Sequence, residues 1–321
     1  MNRRSLNILF AAILTTGLIM ACGERQRKSN RTDTASSGTI SFASDESFSP
    51  IVDECREVFE YSRPQAHLTP MYMSEGEGMD LLMKDSIQLV VAARNFRPGE
   101  IQELQARKFL PAAIPIAYDG LALIVNRNNP DSCITVADVK RVLSGEVKKW
   151  NEIYPRSNKG DIEVVFDRNR SSAVQFCVDS LLDGRQFGDN TVAAKSSAEV
   201  IDYVEKTPNA IGIIGSNWLN DKRDTTNTTF KKNITVMSVS KLDNATEMNS
   251  WKPYQAWLLN GRYPFVRTIY ALVNDPRNGL PWGFANFITQ PKGQMVVFKT
   301  GLLPVRGDIS IRDVNVHDYG F

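Results

Sequence analysis

Short apolar stretches alternate with amphipathic stretches from Thr39 onward, and this alternation constrains the fold more than any other feature. Ile87–Ala93 is an almost continuous apolar run, which is typical of a strand buried on both faces of a parallel sheet. Ile51–Phe59 carries apolar residues at helical spacing, and Ser49 in front of it is a predicted N-cap. Strands that alternate with helices predict an α/β fold, and 321 residues suffice for two lobes.

The N-terminal residues predict an export signal and a lipid anchor. Two arginines precede the apolar run Leu6–Ala21, which at sixteen residues is shorter than the roughly 20 needed to span a membrane. The end of that run, Leu18–Cys22, resembles a bacterial lipobox, in which the chain is cut before the cysteine and the thiol carries a diacylglycerol. We therefore predict a signal peptide at 1–21, and a lipidated Cys22 with a flexible tether at 22–38. The acyl chains should hold the mature protein on a membrane, and the motif leaves open which membrane and which face.

Charge and cysteine content exclude several classes of protein. The chain has 38 Lys plus Arg and 36 Asp plus Glu, and removal of 1–21 takes away two arginines and no acid, which leaves 36 of each. A neutral chain gives no reason to expect nucleic-acid binding. The three remaining cysteines are an odd number, so they cannot form a complete disulfide framework. We expect Cys55 and Cys177 to be buried thiols, and no residue spacing predicts a metal site or a cofactor.

Enzyme motifs are missing from the sequence. The two histidines, His67 and His317, lie in predicted loops and away from any nucleophile-elbow pattern. The chain contains neither a P-loop nor a G-x-G-x-x-G dinucleotide motif. We therefore expect no catalytic residues.

Three predicted strands end in small polar residues that open a helix. These junctions are Ser44–Ser49, Ser74–Gly78 and Arg168–Ala173. The start of a helix offers free backbone N–H groups and a partial positive charge, which together can bind an oxyanion. Because ligands of open α/β sheets bind beyond the carboxyl ends of the strands, we expect the three junctions to converge on one site.

Several longer motifs carry a resemblance to a known family. They include Tyr118–Asn126, Val142–Gly145 with Trp150, Ala210–Gly215 and Gly301–Pro304. In order and spacing these motifs resemble the phosphate-binding proteins of bacterial ABC importers, a branch of the type II periplasmic binding proteins, with details most similar to homologues from Bacteroidetes. The resemblance covers about residues 39–306.

The resemblance implies a fold, a ligand and partners. Two α/β lobes would be joined by two crossing strands, with 39–115 plus 268–321 in lobe 1 and 116–267 in lobe 2. Phosphate would bind in the cleft between the lobes and close them by a hinge motion. An ABC permease and an ATPase would be the partners of a monomeric, lipid-anchored binding protein that performs no chemistry on its ligand.

The resemblance also implies which residues bind the ligand. The positions that match the binding loops are Asp45, Glu46 and Ser47 in the first loop, Ser74 and Glu75 in the second, Arg94 after the third strand, and Arg168, Arg170, Ser171 and Ser172 in the last. Arg94 and one of Arg168 and Arg170 would supply charge, and the serines would supply hydroxyl groups.

The acid-rich loops depart from the family pattern. Asp45, Glu46, Glu75 and Glu77 would together repel a bare anion if all four faced the cleft. We expect most of them to point outward, since acids near a helix start also stabilise that helix. The alternative is a different ligand, in which case the chain would be a binding or sensor module of the same fold. A third hypothesis, a hydrolase that uses the clustered acids, lacks a supporting nucleophile or metal motif.

Overall fold

The computed structural model describes residues 31–220 and 230–307. The predicted signal peptide, Cys22, the start of the tether and His317 lie outside the described residues. Among the described residues, the predicted end of the tether at residue 38 is wrong. Asp33 is already buried, and its Oδ2 accepts a hydrogen bond from the backbone N–H of Leu280 at 2.7 Å. Thr34 and Ser37 also form a β-bridge. Residues 33–38 therefore belong to the folded body, because their polar groups find partners that composition alone does not reveal.

The described residues form strands that alternate with helices along most of the chain, as the sequence predicts. The strands are β1 Gly38–Asp45, β2 Ala66–Met73, β3 Leu89–Ala92, β4 Ala112–Asn126, β5 Cys133–Thr135, β6 Glu163–Phe166, β7 Thr191–Ala193, β8 Ala210–Gly215, β9 Ile234–Val236, β10 Ser238–Ser240, β11 Val266–Val273 and β12 Leu303–Pro304.

The helices cover the amphipathic stretches. They are α1 Ser49–Ser62, α2 Glu75–Met83, α3 Pro98–Ala106, α4 Val136–Leu143, α5 Ser172–Phe176, α6 Ser197–Lys206, α7 Gln255–Leu259, α8 Leu280–Thr289 and α9 Pro291–Lys299. A π-helical segment, Cys177–Leu181, continues α5 directly, and short 3₁₀ turns lie at Glu46–Phe48, Trp150–Glu152 and Ser216–Trp218. No helix in the described part of the chain is long and apolar enough to cross a membrane.

The side-chain caps explain where several helices begin. Thr135 caps α4, and Ser74 caps α2 in a reciprocal capping box with Glu77. The predicted cap at Ser49 is wrong, because α1 is preceded by the 3₁₀ turn and Phe48 takes the N-cap position. Asp45 caps that 3₁₀ turn instead, through an N–H bond from Ser47.

One curled mixed sheet runs through the molecule in the order β2-β1-β3-β11-β4-β8-β6-β7. β1 pairs in parallel with β2 and β3, and β6 pairs in parallel with β7 and β8. The long strands β4 and β11 pair antiparallel between these two groups. The predicted parallel α/β arrangement is therefore confirmed within each group, and the two antiparallel strands join the groups.

The apolar residues pack into cores on either side of the crossing strands. In lobe 1 the rings of Phe42 and Phe59 pack against Phe284, with centroid distances of 5.5 and 5.4 Å. In lobe 2 a separate core surrounds the fully buried Trp150. Cys55 lies in the first of these cores and Cys177 in the second, both as free thiols, which confirms their prediction as buried cysteines. The fold is thus two α/β lobes joined by two crossing strands.

Candidate functional site

Loops from both lobes meet at the carboxyl ends of the parallel strands. In lobe 1, Asp45 ends β1, Ser74 follows β2 and Ala93 follows β3. In lobe 2, Asp167 follows β6 and Ser216 follows β8. Since the carboxyl ends of parallel strands share one edge of a sheet, these loops form the two walls of a common centre between the lobes.

The carboxylate of Asp45 lies in the middle of this centre and is almost completely buried. Its Oδ1 accepts hydrogen bonds from the N–H and the hydroxyl group of Ser47, at 3.0 and 2.5 Å. Its Oδ2 accepts the N–H of Glu75 at 3.0 Å and the N–H of Ser172 at 2.8 Å. Glu75 and Ser172 are the first residues of α2 and α5, so Asp45 receives N–H groups from helix starts of both lobes.

A buried ion pair lies beside Asp45 and joins the two crossing strands. Arg267 of β11 faces Asp119 of β4 across the antiparallel ladder, and its Nε and Nη2 donate to Asp119 Oδ2 at 2.9 and 2.8 Å. The other oxygen of Asp119 accepts the N–H and the hydroxyl group of Ser216. Arg267 Nη1 donates to Ser172 Oγ at 2.9 Å, and the guanidinium group lies 4.9 Å from the ring centroid of Phe48. The pair is thereby connected to both lobes.

Further buried contacts cross from lobe 1 to lobe 2. Glu46 Oε2 accepts the N–H and the hydroxyl group of Ser197, both at 3.0 Å, at the start of α6. The carbonyl oxygen of Ser47 accepts hydrogen bonds from Asn217 Nδ2 and Trp218 Nε1, both at 2.9 Å. The first loop of lobe 1 is therefore held by the starts of three helical segments of lobe 2.

Burial raises the pKa of the carboxyl groups around Asp45. The pKa of Glu75 rises to about 7, first because of burial and second because of the negative charge of Asp45, although the N–H of Ala93 and the charge of Arg94 oppose the change. The pKa of Asp167 also rises to about 7 for the same two reasons. Burial likewise raises the pKa of Glu46, against the effect of its bonds from Ser197.

The acids of the first two loops point inward, which corrects the prediction that most of them point to solvent. Asp45, Glu46 and Glu75 are buried, and only Glu77 is exposed. The physical reason is that N–H groups from other loops are available to the first three in the folded chain. Glu77 instead accepts hydrogen bonds from the N–H and the hydroxyl group of Ser74 in the capping box, which lower its pKa.

The predicted serines divide into two groups. The hydroxyl groups of Ser47 and Ser172 are 3.0 Å apart in the centre, next to Asp45 and Arg267. Ser171 is buried and caps α5 by accepting the N–H of Val174, and Ser74 caps α2. The hydroxyl group of Ser74 therefore serves its own helix, whereas that of Ser171 also forms a hydrogen bond with Asp167 of the centre, which opposes the rise in the pKa of that carboxyl group.

The predicted arginines lie outside the buried centre. Arg94 forms a bidentate pair with Glu100 at 2.7 and 2.8 Å, and its Nε lies 3.5 Å from Glu75 Oε1. Arg168 is half-buried and its Nε donates to the carbonyl oxygen of Lys195. Arg170 is exposed and forms an ion pair with Asp80 of lobe 1 at 3.1 Å. As direct ligand contacts, all three stay predictions.

Arg170 also explains a glycine in the second loop. The N–H of Gly76 donates to the carbonyl oxygen of Arg170 at 3.3 Å. A Cβ atom at position 76 would lie 2.6 Å from Arg170 Nε, closer than side-chain packing allows. A larger residue at position 76 would therefore displace the exposed Arg170 side chain from its present position next to the second loop.

Sequence reasoning missed most of the buried charge. The sequence does not predict Asp119, Asp167 or Arg267 as site residues, and it offers Asp45 only as a first-loop position and as one of four acids, whereas all four residues are buried. One signal was present: Asp119 and Arg267 each interrupt an apolar strand with a charge of opposite sign. Charged residues are rarely buried without a partner, so two such positions in neighbouring strands point to an ion pair.

The arrangement suits recognition of a charged or strongly polar ligand. Five carboxyl groups (those of Asp45, Glu46, Glu75, Asp119 and Asp167) and one guanidinium group, that of Arg267, are buried among the described residues of the centre. No cluster of metal-ligating side chains occurs in residues 31–220 and 230–307. The other donors of the centre are backbone N–H groups and serine hydroxyl groups.

Comparison with known proteins gives the family. The model of the PBP superfamily domain matches residues 29–292. The chain belongs to the PBP superfamily. Phosphate-binding proteins called PstS are similar over most of their length, with 22% identity to that of Borreliella burgdorferi over 93% of this chain and 98% of the relative. The PstS of Pseudomonas aeruginosa is 24% identical over 85% of each chain.

Solved structures agree on the fold. A phosphate ABC transporter substrate-binding protein from Clostridium perfringens, solved with bound phosphate, superposes with a TM-score of 0.70 at 21% identity over 84% of this chain and all of that one. An ABC-type phosphate transport receptor from Vibrio cholerae gives a TM-score of 0.63 at 17% identity over 83% of this chain and all of that one. This member of the PBP superfamily therefore has the fold that the sequence predicts, with two lobes on a shared mixed sheet.

Proposed function

We propose that this chain is the solute-binding protein of an ABC importer and that it captures inorganic phosphate between its two lobes. The PstS relatives are phosphate-binding proteins and match this chain over most of its length. The observation that carries the proposal is the convergence of N–H groups from both lobes on one buried negative group, the carboxylate of Asp45. A place where helix starts surround an anion is suited to a ligand oxyanion.

The proposed binding step uses backbone and side-chain donors together. The N–H groups of Glu75 and Ser172 and the hydroxyl group of Ser47 would donate to the phosphate oxygens. Arg267 would supply positive charge from the crossing strand β11, partly balanced by Asp119. Because these donors come from both lobes, ligand binding would close the lobes by bending at the crossing strands β4 and β11. An importer permease with its ATPase would receive the closed complex.

We also propose that Cys22 anchors the protein to the periplasmic side of a bacterial membrane. The support is the lipobox-like sequence Leu18–Cys22 at the end of the apolar run. A Cys22→Ala variant expressed beside the wild type should move from the membrane fraction to the soluble fraction. Equal membrane retention of the two proteins would contradict the anchor.

Isothermal titration calorimetry tests the proposed ligand. The full chain, purified in mild detergent and stripped of bound ligand, should release or take up heat on addition of phosphate, with one phosphate bound per chain. Titration with sulfate and molybdate serves as the comparison. The absence of binding to phosphate would contradict the proposal.

A second candidate function is a sensor or binding module for another ligand. The observation that favours it is the excess of buried carboxyl groups over the single buried arginine in the centre. Such a centre attracts ligands that carry hydrogen-bond donors or positive charge. Under this alternative, the calorimetric response would appear with a cationic or donor-rich solute and not with phosphate.

A further inference from the structure

The four donors that surround Asp45 are the ones that a ligand oxyanion would need. Both carboxylate oxygens are fully engaged, with the N–H and hydroxyl groups of Ser47 on Oδ1 and the N–H groups of Glu75 and Ser172 on Oδ2. An N–H group that donates to Asp45 is not available to a second anion in the same place. A ligand oxyanion and the Asp45 carboxylate therefore compete for the same donors.

The neighbouring groups make joint occupancy unfavourable. Glu75 and Asp167 are buried within electrostatic reach of Asp45, and Asp119 already balances part of the positive charge of Arg267. Asn217 Oδ1 is a buried acceptor without a hydrogen-bond partner, although the same side chain donates to Ser47 from Nδ2. The centre thus has acceptors in excess, and it offers a second anion few donors beyond those that Asp45 already holds.

We infer that Asp45 is an internal competitor of the ligand, and that its carboxylate sets the affinity of the site by occupying the donors that an oxyanion requires. This inference rests on the proposed function, since it concerns the same centre. Asp45 belongs to lobe 1 and the N–H of Ser172 to lobe 2, so the internal anion also holds the lobes together. Phosphate binds only when Asp45 no longer accepts hydrogen bonds from these donors. This competition lowers the apparent affinity of the protein for phosphate.

Calorimetry with inorganic phosphate tests the competition directly. The ligand-stripped full chain carrying Asp45→Ala should bind phosphate at least about tenfold more tightly than the wild type. In the variant, phosphate no longer competes with the Asp45 carboxylate for its donors, and the free energy of one or two charged hydrogen bonds corresponds to at least about a tenfold change in affinity. Asp45→Asn keeps the side-chain volume but removes the negative charge, and it should fall between the two. Glu57→Ala, which changes an exposed acid of α1, should bind like the wild type.

Weaker phosphate binding by Asp45→Ala than by the wild type would overturn the inference, because Asp45 would then be a direct ligand contact. Equal affinities would overturn it as well, because an occupied donor set must influence the ligand. Asp45→Asn gives the same test if Asp45→Ala fails to fold.

Hydrogen exchange followed by mass spectrometry separates this inference from the proposed function. In the ligand-stripped wild type, the amides of Glu75 and Ser172 should exchange slowly, because Asp45 accepts from both. In Asp45→Ala they should exchange rapidly, and added phosphate should slow them again. Rapid exchange in the stripped wild type, or slow exchange in the stripped variant, would contradict the internal anion. If the exchange differs as expected but phosphate binds to neither protein, the proposed ligand fails and the internal anion stands.

Discussion

An arginine–aspartate ion pair occurs both in the buried centre of the contact between the lobes and at the exposed rim of that contact. In the centre, Arg267 and Asp119 are 1% and 0% exposed, and each makes further hydrogen bonds to the loops. At the rim, Arg170 and Asp80 are 60% and 54% exposed. Buried charges need full sets of partners, whereas exposed pairs are solvated whether or not they meet. The central charges therefore organise the loops, and the rim pair adds little.

Breaking the central ion pair should have the largest effect. Arg267→Leu leaves Asp119 buried without its partner, and we expect the free energy of unfolding to fall by about 3–5 kcal/mol. Urea unfolding followed by circular dichroism measures this change. The double variant with Asp119→Leu should recover part of the loss, because no charge then remains unpaired. A loss of less than about 1 kcal/mol in Arg267→Leu would place this pair in the same class as the exposed pair of the rim.

The second largest effect is a pH dependence of the free energy of unfolding. The buried Glu75 should cause it, and the exposed Glu77 of the same loop should not. The folded-state pKa of Glu75 is raised from 4.5 to about 7, so its contribution to stability is present below pH 4.5 and is lost as the pH rises through 7. We expect the free energy of unfolding to fall by about 3 kcal/mol over this window because of Glu75. Glu75→Gln should remove that part of the slope, and urea unfolding at a series of pH values measures it.

Glu77→Gln is the matched control for this pH dependence. The pKa of Glu77 is lowered below 4.5, so its contribution is present above pH 4.5 and is lost only as the pH falls through the lower value. The slope between pH 4.5 and 7 should therefore stay as in the wild type. Equal slopes for the wild type and Glu75→Gln would show that Glu75 is ionised throughout.

Loss of the cap at the edge of the centre should have an intermediate effect. Ser74→Ala removes the hydroxyl group that caps α2, and we expect a loss of about 1 kcal/mol in the free energy of unfolding. The hydroxyl group of Ser157 is buried without a partner, so Ser157→Ala should leave stability unchanged or slightly raised. Thermal unfolding of both variants measures the difference. A loss as large in Ser157→Ala as in Ser74→Ala would remove the capping explanation.

The smallest effect should come from the rim. Arg170→Gln breaks the exposed pair with Asp80, and we expect a loss of at most about 1 kcal/mol. Added salt screens exposed pairs, so the difference from the wild type should shrink further at high ionic strength. Lys148→Gln breaks a different exposed pair, the one that Lys148 forms with Asp189 within lobe 2. This variant should show the same small, salt-sensitive loss in the free energy of unfolding. A loss above about 2 kcal/mol in Arg170→Gln, with no such loss in Lys148→Gln, would contradict the small contribution expected of the rim pair.

The sequence predicts the elements well because their signal is local. The helical spacing over Ile51–Phe59 and the apolar run before Ala93 have their counterparts in α1 and β3. The cap of α2 is equally local, since Ser74 and Glu77 lie in one turn. The misplaced cap at Ser49 shows the limit, because the 3₁₀ turn before α1 depends on Asp45, whose other partners lie in distant loops.

The candidate site is harder to predict because its partners come from distant segments. Glu75 and Glu77 are both glutamates in the first turn of α2. In the folded chain Glu75 is buried and accepts the N–H of Ala93, whereas Glu77 is exposed and accepts the N–H of Ser74 in the capping box of its own helix. Whether an acid faces inward depends on N–H groups contributed by loops 18 to 151 residues away. Residue types near a helix start can therefore predict that a site exists, while the direction of its charges requires the folded chain.

The crystal structure of the full chain in complex with inorganic phosphate tests the central claim most directly. We expect one phosphate between the lobes, with its oxygens within about 3.2 Å of the backbone nitrogens of Glu75 and Ser172 and with the carboxylate of Asp45 moved off them. A phosphate bound elsewhere, with Asp45 still accepting both N–H groups, would contradict the account.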